Sequence, residues 1–375
     1  MPISLALVLT VLLAGAAAVG LVALALSQFS AVDLATRRLG TTEVLEIVKI
    51  SLAVVAGIGG VVALVVAYRK QRVSEAGETR EQAKLFNERF TTAAGQLGND
   101  FPAVRLAGVH ALAALADDWE GGRQMCIDVL CAYLRMPPGH LPDASTAPAE
   151  HTTWLAMGEV RATIWRLITA HLKADARKPW HGADMDFTGV SVTHSIDFSR
   201  TVFPSGTVLF DRAKFSGGRV RFDAARFSGG HIGFYQAEFS GSHVQFTDAE
   251  FSSGQVWFTG AVFSGGAVAY NGARFYGQAG FSEAKFSGSK VTFTNASFAD
   301  GTIWFDGAMF TGGRVAFDGA MFNGSAVHFE RAVFDGGKVT FSDVADWSRP
   351  PTGLPSQVPG LLLPPARGSQ PGPDA

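Results

Sequence analysis

"ARFSGGHIGFYQAEFSGSHVQFTDAEF", Ala225 to Phe251, carries phenylalanine at Phe227, Phe234, Phe239, Phe246 and Phe251, with gaps of seven, five, seven and five. Carried outward at steps of five and seven, with two steps one residue short, the count runs from Phe187 to Phe341 through 27 positions, 25 of them Phe. Val192 and Tyr270 fill the other two. Two residues before each position stands a second small or apolar residue, alternating in type: Ala213, Ala225 and Ala237 in one class, Val220, Ile232 and Val244 in the other. The unit is therefore twelve residues, roughly A-x-F-S-G-G-x-V-x-F-x-x.

No amphipathic helix keeps one face with that rhythm. Inward residues separated by Gly, Ser, Asn and Asp predict very short strands joined by tight corners, a β-solenoid. Phe215, Phe222, Phe227, Phe234, Phe239, Phe246 and Phe251 are core positions of it. Glycine pairs such as Gly217–Gly218, Gly229–Gly230, Gly265–Gly266 and Gly312–Gly313 are expected to supply positive φ at the corners. Each ring removed from water contributes about 1.5 to 3 kcal/mol, which offsets the ordering of a glycine-rich chain.

Stretches such as "AMFTG", "AMFNG" and "AVFSG" resemble the pentapeptide-repeat family, and the chain as a whole resembles a membrane-anchored bacterial protein of that kind. The resemblance implies a right-handed four-sided β-helix in which Ala, and Phe or Leu two residues later, recur every five residues. Here alternate steps are seven, which implies two twelve-residue units per coil and about six coils stacked at the roughly 4.8 Å strand spacing. Some members of the family mimic DNA and protect gyrase, which needs a long acidic face. Asp184 to Asp346 holds 16 acidic and 12 basic residues, too mixed for such a stripe.

The rest of the chain is different. At 375 residues it is 47% hydrophobic with a positive mean hydropathy, an excess that points to membrane segments. "ISLALVLTVLLAGAAAVGLVALALS", Ile3 to Ser27, holds no charge and is long enough to cross about 30 Å of hydrocarbon. A cleaved signal peptide is the rival, but basic residues are missing from its start. A second apolar run, Ile50 to Tyr68, stops at Arg69, Lys70 and Arg72. Residues 1–74 thus read as a transmembrane hairpin with spans near 3–27 and 48–68. The excess of Arg and Lys after the second span places both termini in the cytoplasm, at a bacterial inner membrane. Ala16 with Gly20, Ala53 with Gly57 and Ala56 with Gly60 are small pairs four apart, suited to close helix contact and to homo-oligomerisation within the bilayer. Asn295 and Asn323, in "NAS" and "NGS", then read as turns rather than glycosylation sites.

Residues 75–178 show helical spacing and no Phe count. Asp100 is a candidate cap with Pro102 in the first turn, followed by an apolar face of Val104, Ala107, Val109, Leu112 and Leu115. A second helix spans Arg123 to Arg135, and Pro137 to Glu150 reads as a loop. The Val-Arg element echoed in "EVRATIWRLITAHL", Glu159 to Leu172, resembles a HEAT-type helical repeat. Cys126 and Cys131, five apart, face different ways on a helix and read as buried thiols, and His110 and His171 read as ordinary helix residues without metal spacing. The solenoid is assigned to 180–346, and 347–375, with eight prolines after Ser348, reads as a disordered tail.

Chemistry requires convergent residues, and no phosphate loop, zinc pair, nucleophile elbow or Cys-His set occurs. The reading is therefore non-catalytic, with no cofactor, no metal and no nucleic-acid partner. If residues one coil apart stack, one outward column reads Arg219, His243, Ala267, Lys290, Arg314, Lys338, and the opposite one Thr207, His231, Gln255, Gln278, Thr302, Ala326. The basic edge suits an acidic protein or the anionic inner leaflet, or is a row of solvated turn residues. Trp257, Gly280 and Trp304 share another column, with Val262 and Met309 beside it, as a candidate docking patch. The function expected is a membrane-anchored scaffold that presents the solenoid to an unidentified protein. The alternative is an accessory subunit of a signalling or transport complex that works through its hairpin, and a gyrase protector is the weakest reading.

Overall fold

The computed structural model describes residues 41–365 and, before them, positions 15, 16, 19, 20 and 23. The first expected span lies outside the described residues apart from those positions, as do residues 366–375 of the tail. The chain divides into two units, Met1–Leu85 and Phe86–Ala375.

In the first unit the main element is α1, Thr41–Leu97, whose last turns belong to the second unit. It does not stop at Arg69 and Lys70 but runs through the boundary expected after residue 74. The charges end the apolar run, not the helix, because residues 69–97 lack proline and are rich in Arg, Lys, Glu, Gln and Ala, all good helix formers. Within Lys49–Leu97 an 18-residue window has a mean hydropathy of 2.6 and is nowhere buried. Ile50, Leu52, Val61 and Leu64 are among its exposed side chains. By length and composition this is the one helix among the described residues able to cross a membrane.

The second unit begins where Phe86, Ala93 and Leu97 of α1 become buried. Three helices follow: α2, Pro102–Asp118; α3, Arg123–Arg135; and α4, Pro148–Leu172. Asp100 does not cap α2. Phe101 occupies the N-cap without a side-chain hydrogen bond, while the Asn99 carboxamide accepts from the Phe101 N–H. Pro102 at the first helical position already removes one unsatisfied donor. The buried face of α2 is Gly108, Val109, Leu112, Ala113, Leu115 and Ala116, and Ala107 is exposed. Helix α3 has the expected bounds and buries both cysteines. Helix α4 starts at Pro148, inside the stretch expected to be loop, again with proline in its first turn.

From Met185 onward the chain is a four-faced solenoid of two- and three-residue strands. Every fourth strand pairs in parallel, and the four resulting sheets hold seven, seven, eight and six strands. Register confirms the twelve-residue unit taken twice: Phe215 pairs with Phe239, and Phe239 with Phe263. The short step near Phe275 is absorbed at one corner, so Val262–Phe263 pairs with Lys285–Phe286 without shifting any ring off its face. Four strands per coil give about seven turns rather than the six expected.

The rings form columns. Phe210, Phe234, Phe258, Phe281, Phe305 and Phe329 stack at 5.1, 4.6, 4.9, 4.8 and 4.6 Å between centroids. That spacing is the strand spacing itself, so backbone pairing and ring stacking satisfy one another. Rings on opposite faces meet edge to face, as Phe222 and Phe234 do at 85°.

The glycine pairs work differently from expectation. In the four pairs named above only the second glycine, Gly218, Gly230, Gly266 and Gly313, has positive φ. The first, such as Gly217, has no room for a Cβ, because the Thr193 carbonyl of the preceding coil lies 2.9 Å from where one would stand. The other corner places non-glycine residues in the left-handed region, among them Arg200, Arg212, Ala224, Gln236 and Asp248, one per twelve residues. Each costs of order 1 kcal/mol, offset by the packing around it.

Both ends of the stack are closed by tryptophan. Trp165 of α4 lies over Phe187 at 4.7 Å and meets Phe198 edge-on at 5.9 Å. At the far end Trp347 packs against Phe322 at 5.3 Å and Phe341 at 5.5 Å. The segment expected to be a disordered tail is ordered over 347–365. Leu361–Leu362 adds a strand beside Lys338–Thr340, and Thr352 bridges to His328. The last coil presents free backbone donors, and this segment satisfies them: Phe341 N–H donates to the Leu362 carbonyl and Phe329 N–H to that of Thr352.

Candidate functional site

The solenoid interior is filled, so chemistry on this unit is confined to outward side chains and to the junction with the helices. The sequence placed Arg219, His243, Ala267, Lys290, Arg314 and Lys338 in one column, and the structure pairs them in that order as neighbours on one sheet. All but Ala267 are exposed. Outward pointing follows from the period of two: Val220, Val244, Val268, Val291, Val315 and Val339 follow each and face inward. The opposite column, Thr207 to Ala326, is likewise in register and holds no Asp, Glu, Lys or Arg.

The basic column is not uniform. Arg314 is paired with Asp318 at 3.2 Å, whereas Lys290 and Lys338 have no ion-pair partner among the described residues. At its first end the column borders a shallow groove of about 580 Å³ over Asp197, Arg219, Arg221 and His243. Burial pushes the Asp197 carboxyl up, but donation by Ser199 and the charges of Lys173 and Arg221 hold it below the usual carboxylate range. Arg221 is itself bound to Asp223 at 2.8 Å. The groove therefore alternates in sign, and the continuous positive stretch is Lys290 to Lys338.

Trp257, Gly280 and Trp304 are in register as expected. The two indoles are half-buried, and their rings pack on one another, at 5.5 Å and 27°. A Cβ on Gly280 would enter the Trp257 ring, so glycine at this rung is what lets indoles two coils apart meet. Val262 and Met309 are separated by Lys285 on the adjoining face, which interrupts the apolar patch. Beside Trp304 the same column continues to His328. His328 Nδ1 lies 3.0 Å from the Thr352 hydroxyl, which donates to Glu330 at 2.7 Å. That bond lowers the Glu330 pKa, whereas burial and the Glu330 carboxylate raise that of Asp306.

Among the helix residues, His110 is exposed and His171 stacks on Trp180 at 4.1 Å. Asp117 ties the pair together, lying 3.2 Å from His171 Nε2 and accepting from Trp180 Nε1 at 3.0 Å. The count of phenylalanines carried no sign of this clasp, since Trp180 stands outside it. Burial pushes the Cys126 thiol up to about 11 and that of Cys131 up to about 12, so neither is a nucleophile at neutral pH.

Residues 270–321 match the family described as Pentapeptide repeats (9 copies). No curated protein and no solved structure matches the chain. The match lies wholly inside the coils described above, and with four parallel ladders and stacked rings it supports a pentapeptide-repeat β-solenoid.

Proposed function

We propose that this protein is a membrane-anchored, non-catalytic scaffold whose solenoid presents a rigid surface to a protein partner. The observation that supports it is the ladder itself: side chains on each outward column are fixed at the strand spacing by a core with no slack. Lys290, Arg314 and Lys338 then form a cationic edge about 10 Å long, and Trp257 with Trp304 a preorganised aromatic pair. An acidic protein segment is the partner chemistry this edge fits. α1 supplies one candidate span, and the apolar run at 3–27 would complete a hairpin with both termini in the cytoplasm of a bacterial cell.

The test replaces Lys290, Arg314 and Lys338 by Glu in the full chain, isolated from its native membrane. Proteins that accompany the parent and not the triple variant support the reading. Unchanged co-isolation sinks it, and loss of binding to anionic liposomes instead of protein assigns the edge to lipid. A second reading, the membrane accessory, is favoured by one observation. Among the described residues, Gly57 and Gly60 have nothing within 4 Å of a would-be Cβ, which suits close approach of another helix, including one from a second copy. Leu at Ala56, Gly57 and Gly60 that abolishes association while the solenoid stays folded selects it. Gyrase protection is disfavoured, because the outward columns mix signs where a DNA mimic needs uniform negative charge.

A further inference from the structure

At the junction of the helices with the first coil the twelve-residue symmetry breaks and leaves a cleft of about 560 Å³, a size suited to a small molecule. Arg105 of α2, Tyr133 of α3, Arg161 of α4 and His194 of the first coil line it. Both guanidiniums lie against the Tyr133 ring, at 5.8 and 5.7 Å from its centroid. Arg105 donates to the Tyr133 hydroxyl at 3.2 Å and to the Asn99 carbonyl. Arg161 donates to the carbonyls of Leu134, at 2.8 Å, and Met136, at the exposed end of α3. Neither has a carboxylate partner among the described residues. A cation drawn from water without an anion is costly, and burial accordingly lowers the Arg161 pKa.

Two further lining residues are unsatisfied: Trp154 Nε1 and His194 Nε2 are buried with no hydrogen-bond partner among the described residues. Burial, then Arg161, lowers the His194 pKa below 6.5, so the ring is neutral at pH 7. With Glu159 also at the cleft, two guanidiniums and one carboxylate leave a single positive charge. Met136, Leu155 and Met157 make the apolar part of the wall. Gly158 is the telling residue. Glycine is unfavourable inside a helix, yet among the described residues nothing lies within 4 Å of where its Cβ would stand. Packing does not require it there; an open cleft does.

We propose that this cleft binds a small amphipathic monoanion, a carboxylate on an aromatic or short aliphatic body. The carboxylate sits by Arg105 and Arg161, with the Trp154 indole and the His194 imidazole as further donors, and the body lies against Met136, Leu155 and Met157. The site is independent of the partner surface on the coils.

The test uses the full chain in lipid nanodiscs, titrated calorimetrically with phenylacetate, with neutral phenylacetamide and with inorganic phosphate, against empty nanodiscs. Saturable binding of phenylacetate is expected, with the amide and phosphate each at least about tenfold weaker. Arg105→Gln should weaken phenylacetate by about tenfold or more. Gly158→Leu should abolish binding while leaving the melting temperature unchanged or raised, which separates a blocked cleft from a misfolded chain. Equal affinity for acid and amide, preference for phosphate, binding that survives Gly158→Leu, or no saturable binding to the parent chain would each overturn the proposal.

Discussion

Tyr270→Phe should stabilise the solenoid, although it deletes a polar atom and adds nothing. Tyr270 takes the place of a core phenylalanine, fully buried, and stacks at 4.8 Å on Phe246 in one coil and on Phe293 in the next. Its hydroxyl has no hydrogen-bond partner among the described residues, and burial drives its pKa well above the ordinary value. Removal leaves both ring contacts intact. The variant recovers the cost of burying an unpaired hydroxyl, about 1 to 3 kcal/mol in proteins, less a few tenths for the small void left behind. The net expectation is a gain of about 1 to 2 kcal/mol. Urea unfolding of the full chain followed by circular dichroism would show it as a higher midpoint with an unchanged slope. Phe246→Tyr, one rung away in the same column, is the mirror experiment and should lose a similar amount. A Tyr270→Phe variant that is less stable than its parent would refute the reasoning, since it would mean that the hydroxyl is engaged in the folded state.

Three other outcomes follow from the geometry. Gly280→Ala should cost about 1 kcal/mol in the parent chain through the Trp257 ring, and be neutral or stabilising in a Trp257→Ala background, a coupling that a double-mutant cycle in urea would measure. Cys126 and Cys131 should not react with a water-soluble disulfide reagent at pH 7 in the native chain and should react fully in denaturant, since burial holds both thiols protonated. His194 has a folded pKa lowered by burial, so the unfolded chain binds the extra proton first. Stability should then fall as pH drops below about 6.5, and His194→Gln should remove part of that slope without changing it above neutrality.

What repeats was legible, and what occurs once was not. A ring position sampled 27 times carried the short strands and the twelve-residue unit, and the coil of two units that the family resemblance implied then brought Arg219 to Lys338 into one column, as the register has them. The caps had no such redundancy. Trp165 reads as one apolar residue of a helix, Trp347 as the last aromatic before a proline run, and the ordered segment after it as low-complexity tail. Only the ring stack exposed at each end explains why a large flat side chain is needed there. Asp100 misled for a related reason: propensity ranks a good cap, but the helix starts at Pro102 and puts Phe101 in the N-cap place, one residue beyond Asp100.

The same contrast bears on where activity can lie. Along the coils each rung inherits the geometry of its neighbour, so a side chain there can be one of a series but cannot easily converge with others on a small ligand. A repeated surface therefore favours an extended partner, whose own charges can run along Lys290, Arg314 and Lys338. Convergence needs the repeat to end, and it does so where α4 lays Trp165 over the first coil. There Arg105 of α2, Trp154 and Arg161 of α4 and His194 of the first coil line one cleft, with two polar atoms unsatisfied among the described residues. If the coils bind a partner and the junction binds a small anion, Gly158→Leu and the triple charge reversal should each abolish one binding event and leave the other intact. Loss of both from either change would mean one site, and the division of labour argued from the symmetry would be wrong.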